Sequence, residues 1–165
     1  ARAGTLPSHI CYTALNYFMN PKQVRQDHIS IGRTTDLQEK VTGSHVSGHK
    51  IGGDVNGSIV LFPDPMGATG GTISEAVSLF KTRPGKALKY VALHCIVTPE
   101  YLRKVKSTHP DLVIYAIRLD RGLSPSSVLD TMPGKHWERE RGLNDKHYIV
   151  PGGGGFGEIL NNAYV

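Results

Sequence analysis

The sequence predicts an α/β fold with a mainly parallel sheet flanked by helices. Almost continuous apolar runs, typical of strands buried on both faces, lie at Ser58–Phe62, Tyr90–Val97 and Leu112–Leu119. Helix-prone runs follow the first two, over Ile73–Lys81 and from Thr98 to about residue 107. Strands that alternate with helices in this way form a parallel sheet, and its ligands bind at the carboxyl ends of the strands.

Composition is that of one globular domain over residues 1–165. The hydrophobic fraction is 39% and the charged fraction 20%, and no apolar run is long enough to span a membrane. No signal peptide is visible, and two cysteines, Cys11 and Cys95, make no disulfide framework. We therefore expect a cytoplasmic protein with reduced, buried thiols. The chain begins at Ala1 rather than Met, so we also expect a further segment upstream.

The charge balance favours an anionic partner. The net charge is +5 and the pI about 9.3, which fits a polyanionic substrate or a nucleic acid. A basic stripe with interleaved aromatic residues would mark a nucleic-acid surface, and none is present. A small polyanionic substrate is the favoured alternative.

The first third of the chain predicts a helix, a strand and a long polar segment. Ser8–Asn16 has helical spacing of its apolar residues, and His28–Gly32 reads as a strand with Arg33 at its carboxyl end. Residues 34–57 are polar and rich in glycine, which predicts an exposed, mobile flap or long hairpin. His45 and His49 are four residues apart, but without a third ligand they are more typical of solvated loop residues than of a metal site.

The stretch from Asp64 to Thr72, DPMGATGGT, carries the strongest signal. It places an acid and a glycine-rich turn between a buried strand and a helix start. Glycines let backbone N–H groups approach a phosphate, the helix adds the positive end of its dipole, and Thr69 and Thr72 add hydroxyl donors. Asp64 would repel phosphate, so ribose hydroxyls beside it are its expected partners. The spacing matches neither GxxxxGK[ST] nor GxGxxG, and the alternative is a glycine turn without a ligand.

A second glycine-rich stretch, LNDKHYIVPGGGGFG, lies over Leu143–Gly157. Tyr148–Val150 predicts a short strand, and the loop after Pro151 exposes backbone groups that suit the edge of a flat heterocycle. Phe156 would stack on such a ring. The alternative is a flexible C-terminal glycine tail.

Both stretches resemble one known family. DPMGATGGT resembles the phosphoribosyl pyrophosphate (PRPP) motif of type I phosphoribosyltransferases, and its DPM-x-ATGG[ST] form is similar to that of uracil phosphoribosyltransferases. YIVPGGGGFG resembles the YIVPG-x-GD[AF]GDR segment of the same enzymes. The resemblance implies a type I phosphoribosyltransferase fold with a flap over residues 34–57. It also implies an insertion on the rim, where an oligomer contact is expected, and a C-terminal base-binding hood, which together cover residues 121–165.

The resemblance also assigns roles to residues of this sequence. Arg2, Arg33 and Asp64 would be catalytic, with both arginines on the pyrophosphate. PRPP would further contact Pro65, Met66, Gly67, Ala68, Thr69, Gly70, Gly71, Thr72 and Gly155. Uracil would contact Tyr148, Ile149, Gly154, Gly155 and Phe156. The chain departs from the family pattern at Gly155, Glu158 and Ile159, where the family has Asp, Asp and Arg.

The activity implied is the transfer of phosphoribose from PRPP to uracil, which gives UMP and diphosphate. Mg²⁺ would be bound through PRPP with no direct protein ligand. The resemblance further implies a homodimer or homotetramer, regulation by GTP, and no membrane or nucleic-acid partner. Two alternatives stay open: a non-catalytic PRPP or nucleotide sensor on the same fold, and a phosphoribosyltransferase for another base.

Overall fold

Helices and strands alternate along most of the chain. The computed structural model describes residues 5–35 and 41–154. In order, the helices and strands are α1 Thr5–Phe18, β1 His28–Thr35, β2 Val41–Lys50, β3 Ile59–Pro63, β4 Met66–Gly67, α2 Gly71–Lys81, β5 Lys89–Val97, α3 Pro99–Thr108, β6 Val113–Leu119 and α4 Ser126–Leu129.

The central sheet is parallel, as predicted. Strand β5 lies in its middle, with β3 and β4 along one edge and β6 along the other. Strands β3 and β4 pair with successive parts of β5, and the dipeptide Asp64-Pro65 separates them. The predicted acid therefore stands at the point where the long apolar strand gives way to the glycine-rich turn.

Strands β1 and β2 form a separate antiparallel hairpin that begins at His28, before the flap or long hairpin predicted over residues 34–57. Its register runs from His28 opposite Lys50 to Thr35 opposite Val41. The prediction that Arg33 follows the carboxyl end of its strand was wrong, since β1 continues through it. The β-branched pair Thr34-Thr35 favours the extended conformation, which explains the longer strand. The side chain of Arg33 lies outside the described part of the structure.

The core lies between one face of the sheet and helices α2 and α3. Phe62 of β3 meets Phe80 of α2 edge to face, with ring centroids 5.4 Å apart. Val77 and Val105, from the two helices, are fully buried. This packing holds both helix N-termini at the carboxyl edge of the sheet. Of the helices within residues 5–35 and 41–154, none is both long and apolar enough to cross a membrane.

The prediction of buried thiols was wrong. For Cys95 the reason is that one face of the sheet is not covered by α2 and α3. Both cysteines are free, Cys11 is half-buried and Cys95 is exposed. Side chains alternate along β5, so Cys95 points away from the face that carries His94 and the helices. On that side Tyr115 and Ile117 of β6 are 62% and 85% exposed. The apolar run of β5 predicted a strand buried on both faces, whereas α2 and α3 cover only one.

Candidate functional site

The glycine-rich turn ends in the first turn of α2. Gly70 precedes the helix in the left-handed conformation, with φ 81° and ψ 0°, and no side chain caps the helix start. The Ser74 N–H donates to the Gly70 carbonyl at 3.1 Å and so closes the first helical turn. N–H groups before it have no acceptor within a helix and, with the helix dipole, suit an anion. The predicted order of strand, glycine-rich turn and helix start is therefore present.

Two glycines of the turn are pressed against α3 and the end of β5. A Cβ at Gly67 would lie 2.9 Å from Val97 Cγ1 and 3.0 Å from the Tyr101 ring. A Cβ at Gly70 would lie 2.8 Å from Val105 Cγ2. These glycines are required by close packing, in addition to the backbone freedom that the sequence suggested.

Asp64 lies at the carboxyl end of β3 and is half-buried. Its N–H donates to the Leu93 carbonyl at 3.0 Å, the last regular bond of that ladder. One carboxylate oxygen, Oδ1, accepts from the Met66 N–H at 3.2 Å. This short turn fixes the carboxylate beside the start of the glycine-rich turn.

The N-cap residue of α3, Thr98, supports the glycine-rich turn. Thr98 is fully buried, its hydroxyl donates to the Ala68 carbonyl at 2.6 Å, and its N–H donates to the Gly67 carbonyl at 3.1 Å. The hydroxyl also accepts from the Tyr101 N–H at 3.0 Å and so caps α3. The sequence identified Thr98 as part of a helix start but gave no sign that it holds the glycine-rich turn.

We expect Thr98→Val to lower the free energy of unfolding by about 2 kcal/mol, because it removes a helix cap and leaves the Ala68 carbonyl without this donor. Urea unfolding followed by circular dichroism measures the change. Thr108→Val is the matched control, since the Thr108 hydroxyl donates to the Lys104 carbonyl at an exposed position. The control should change stability by less than about 0.5 kcal/mol. Equal losses in the two variants would contradict a special role for Thr98.

The same helix also anchors the second glycine-rich stretch. Glu100 accepts from the Gly142 N–H at 3.0 and 3.1 Å, one distance to each carboxylate oxygen, and from the Leu143 N–H at 3.4 Å. Asn144 Oδ1 then accepts from the Lys146 and Tyr148 N–H groups at 3.0 and 2.9 Å, which closes a tight loop. The predicted strand over Tyr148–Val150 is reduced to a single bridge between Leu143 and Ile149, because this loop leaves too few residues to pair.

The residues after that bridge are held at the end of β6. Asp120 is 3% exposed, and its Oδ2 accepts from the Gly152 N–H at 2.8 Å. Arg118 pairs with the Asp120 carboxylate, Nε to Oδ1, at 2.5 Å and donates to the Gly152 carbonyl at 2.9 Å. The Val150–Pro151 peptide bond is cis. The sequence suggested a loop that presents backbone groups, and the Arg118–Asp120 pair that holds it was not foreseen.

Residues 121–141 form an excursion whose two ends are adjacent. The Leu123 N–H donates to the Arg141 carbonyl at 3.0 Å. The guanidinium of Arg121 donates to the carbonyls of Val128 and Leu129 at 2.9 and 3.2 Å and contacts the buried Glu140 at 3.3 Å. The excursion is thus organised by contacts among its own residues.

The structure brings part of the predicted site together. Residues 64–72 and 148–154 lie at the carboxyl edge of the sheet, each attached to the first turn of α3 or to the end of β6. Arg2, Gly155, Phe156 and the departures at Glu158 and Ile159 lie outside the described residues. His49 Nε2 lies 2.8 Å from Arg83 Nη2, and the His45 side chain lies outside the described part. Within residues 5–35 and 41–154, no three His, Cys, Asp or Glu side chains form a candidate metal cluster.

Comparison with known proteins agrees with the predicted fold. The family model of uracil phosphoribosyltransferases matches residues 21–134. A uracil phosphoribosyltransferase of Malacoplasma penetrans is 34% identical over 105 residues, which is 64% of this chain and 40% of that protein. One of Staphylococcus epidermidis is 33% identical over 136 residues, 82% of this chain and 53% of that protein. The chain thus spans about half the length of the curated relatives it matches.

A solved structure has the same fold. The AQ2163 protein from Aquifex aeolicus superimposes with a TM-score of 0.62 at 28% identity, over 84% of this chain and 54% of that one. The parallel sheet, with its acid and glycine-rich turn at a strand end, is a type I phosphoribosyltransferase fold. Within that class, the chain belongs to the uracil phosphoribosyltransferase family.

Proposed function

We propose that the protein transfers phosphoribose from PRPP to uracil and releases diphosphate. The observation that carries the proposal is the turn over Asp64–Thr72, which places a carboxylate and a helix N-terminus side by side at the edge of the sheet. Membership of the family supports it. In the reaction, the bond from the ribose anomeric carbon to diphosphate breaks, the electron pair leaves with diphosphate, and uracil N1 bonds to that carbon and loses its proton.

The chain supplies positioning and charge stabilisation. The first-turn N–H groups of α2 and the turn before it hold the 5′-phosphate. Asp64 holds the ribose hydroxyls and lies near the positive charge that develops on the ribose as diphosphate departs. Arg2 and Arg33 hold the leaving diphosphate. Within residues 5–35 and 41–154 no side chain is placed as a dedicated general base, so the proton that uracil N1 loses passes to water or to the departing diphosphate.

Mg²⁺ fits this donor set. The ion prefers oxygen ligands and in nucleotide sites is usually bound by phosphates, water and one or two carboxylates. Asp64 is the carboxylate of the turn and lies at the edge where the phosphates of PRPP would bind. Mg²⁺ bound through PRPP would neutralise charge on the diphosphate.

The hood supplies base recognition through its backbone. Uracil presents two carbonyl oxygens and an N–H, so it pairs with backbone groups around Ile149 and Gly154, with Tyr148, Gly155 and Phe156 beside them. A base with a donor where uracil has an acceptor, or an acceptor where uracil has a donor, leaves a buried polar group unpaired. This cost discriminates strongly between uracil and such a base. The Arg118–Asp120 pair holds Gly152 between these two positions.

We expect Arg118→Ala to raise the KM for uracil about three- to tenfold, the effect of loosening one charge-assisted hydrogen bond, with little change in the KM for PRPP. Steady-state kinetics of UMP formation in the full-length protein measure both constants. Arg139→Ala is the control, since Arg139 is exposed on the excursion. A rise in the KM for PRPP that equals the rise for uracil would show that Arg118 does not act through the hood.

The activity itself is tested by UMP formation from uracil and PRPP with Mg²⁺ in the full-length protein. We expect product with uracil and little with cytosine or hypoxanthine. PRPP binding with no product from any base would contradict the proposed transfer and support a sensor. Faster turnover of another base would reassign the substrate of the hood.

A further inference from the structure

His94 is a buried imidazole directly behind the acid of the turn. It lies in the middle of β5 and is 6% exposed. Its Nδ1 contacts the main-chain carbonyl oxygen of Asp64 at short range. Its Nε2 lies 2.5 Å from the hydroxyl of Tyr101, a residue of α3 that is 1% exposed. The two rings meet edge to face with centroids 4.8 Å apart.

The sheet ladder explains why Asp64 needs a side-chain donor. In a regular parallel ladder, the Cys95 N–H would donate to the Asp64 carbonyl. Here both the Cys95 and the Ile96 N–H groups donate to the Pro65 carbonyl at 3.0 Å. The ladder thus passes over the Asp64 carbonyl, and His94 donates to it instead.

The direction of each hydrogen bond follows from the chemistry of the groups. A carbonyl only accepts, so His94 Nδ1 carries the proton and donates to Asp64. Burial lowers the pKa of His94, so the ring is neutral and Nε2 accepts from the Tyr101 hydroxyl. Burial and the nearby charge of Asp64 both raise the pKa of Tyr101, so its hydroxyl keeps the proton that it donates.

We propose that Tyr101 and His94 are positioning residues for Asp64, through a hydrogen-bond chain that runs from the Tyr101 hydroxyl through the imidazole to the Asp64 carbonyl. The chain fixes the plane of the Asp64-Pro65 peptide, and this sets the direction of the Asp64 carboxylate. The Tyr101 ring also packs directly under Gly67, so one side chain supports both the acid and the turn. The proposal rests on the role given to Asp64 in the proposed function.

The main test is Tyr101→Phe in the full-length protein, since it removes the donor and keeps the ring under Gly67. We expect kcat to fall about tenfold, the usual scale for losing a group that orients a functional side chain, with the KM for uracil unchanged within about twofold. Tyr90→Phe is the matched control: Tyr90 is on the same strand as His94, and its ring stacks on Phe62. An unchanged kcat in Tyr101→Phe would overturn the proposal.

A double-mutant cycle separates positioning from a general loss of structure. If Tyr101 acts through the carboxylate, adding Tyr101→Phe to an Asp64→Asn protein should lower the residual rate less than about twofold. A merely structural role would give the same tenfold loss in both backgrounds, and that result would overturn the proposal.

Nitrogen-15 NMR of the wild-type protein reads the imidazole independently of activity. We expect the His94 tautomer with the proton on Nδ1, and a proton on Nε2 alone would overturn the proposal. A wild-type protein that makes no UMP would contradict the proposed function instead. In that case the affinity for PRPP tests the positioning role. Tyr101→Phe should bind PRPP severalfold more weakly than Tyr90→Phe does, and equal affinities would overturn the positioning role.

Discussion

Replacing Asp64 by asparagine is expected to leave the fold intact and to remove most UMP formation. Asparagine keeps the Oδ1 acceptor that the Met66 N–H uses, so the turn should keep its shape. The variant loses the negative charge that we place beside the ribose hydroxyls and the developing positive charge. A rate on the order of 10²- to 10³-fold below wild type is expected, the scale for losing one well-placed electrostatic group. Steady-state kinetics and circular dichroism measure the two effects.

Asp54→Asn is a closely matched control for that experiment. Asp54 Oδ1 accepts from the N–H of Asn56, two residues on, at 3.3 Å, as Asp64 does from Met66, but it lies in an exposed turn before β3. The control should keep full activity. Unchanged turnover in Asp64→Asn would remove Asp64 from the mechanism, whatever the control shows.

The second large effect is expected at Gly70. Alanine there would adopt φ near +81° and place its Cβ 2.8 Å from Val105 Cγ2 and 3.3 Å from the Tyr101 carbonyl oxygen. The left-handed backbone and the clash together should cost about 3 kcal/mol or more, and the turn must move away from α3 to relieve it. A displacement of about 1 Å in a positioned phosphate loop lowers PRPP affinity or rate on the order of 100-fold. Isothermal titration with PRPP and urea unfolding measure both losses.

Gly134→Ala isolates the backbone contribution. Gly134 has a similar φ of +89°, but nothing lies within 4 Å of a Cβ built on it. The Gly134→Ala protein should lose only about 1 kcal/mol of stability and should keep its affinity for PRPP. If both alanine variants bind PRPP like wild type, the packing of the turn on α3 has no part in phosphate binding.

The local order of strand, acid, glycine turn and helix could be predicted from the sequence. A short apolar run bounded by turn residues indicates a buried strand, and the glycine pair before Ile73 indicates where the next helix begins. The structure places β3 and α2 within two residues of those expectations. Both stretches that suggested a ligand lie at the same edge of the sheet because the parallel topology leaves few other arrangements.

The contacts that support the site could not be predicted, because they join residues about thirty positions apart. Thr98 and Ala68, or His94 and Asp64, are separated by 30 residues, and neither pair forms a local motif. His94 is one polar residue in an apolar run, and because buried histidines are ordinarily hydrogen-bonded, the run does not identify its partner. Only the packing of α3 shows that the His94 ring joins the Tyr101 hydroxyl to the Asp64 carbonyl at the start of the turn. The exposure of Cys95 was missed for a related reason: an apolar run reports a strand, not which of its faces the rest of the fold covers.

The adjacent ends of the excursion over residues 121–141 have a consequence for engineering and for sequence divergence. Since Leu123 bonds to Arg141, the distance that the connection must bridge does not depend on its length. The entropy of closing a loop grows only with the logarithm of its length, so residues added at the exposed tip near Met132 and Lys135 should cost little. A reporter group or peptide tag inserted there would leave both the sheet and the hood in place, provided that Arg121 and Glu140 are kept.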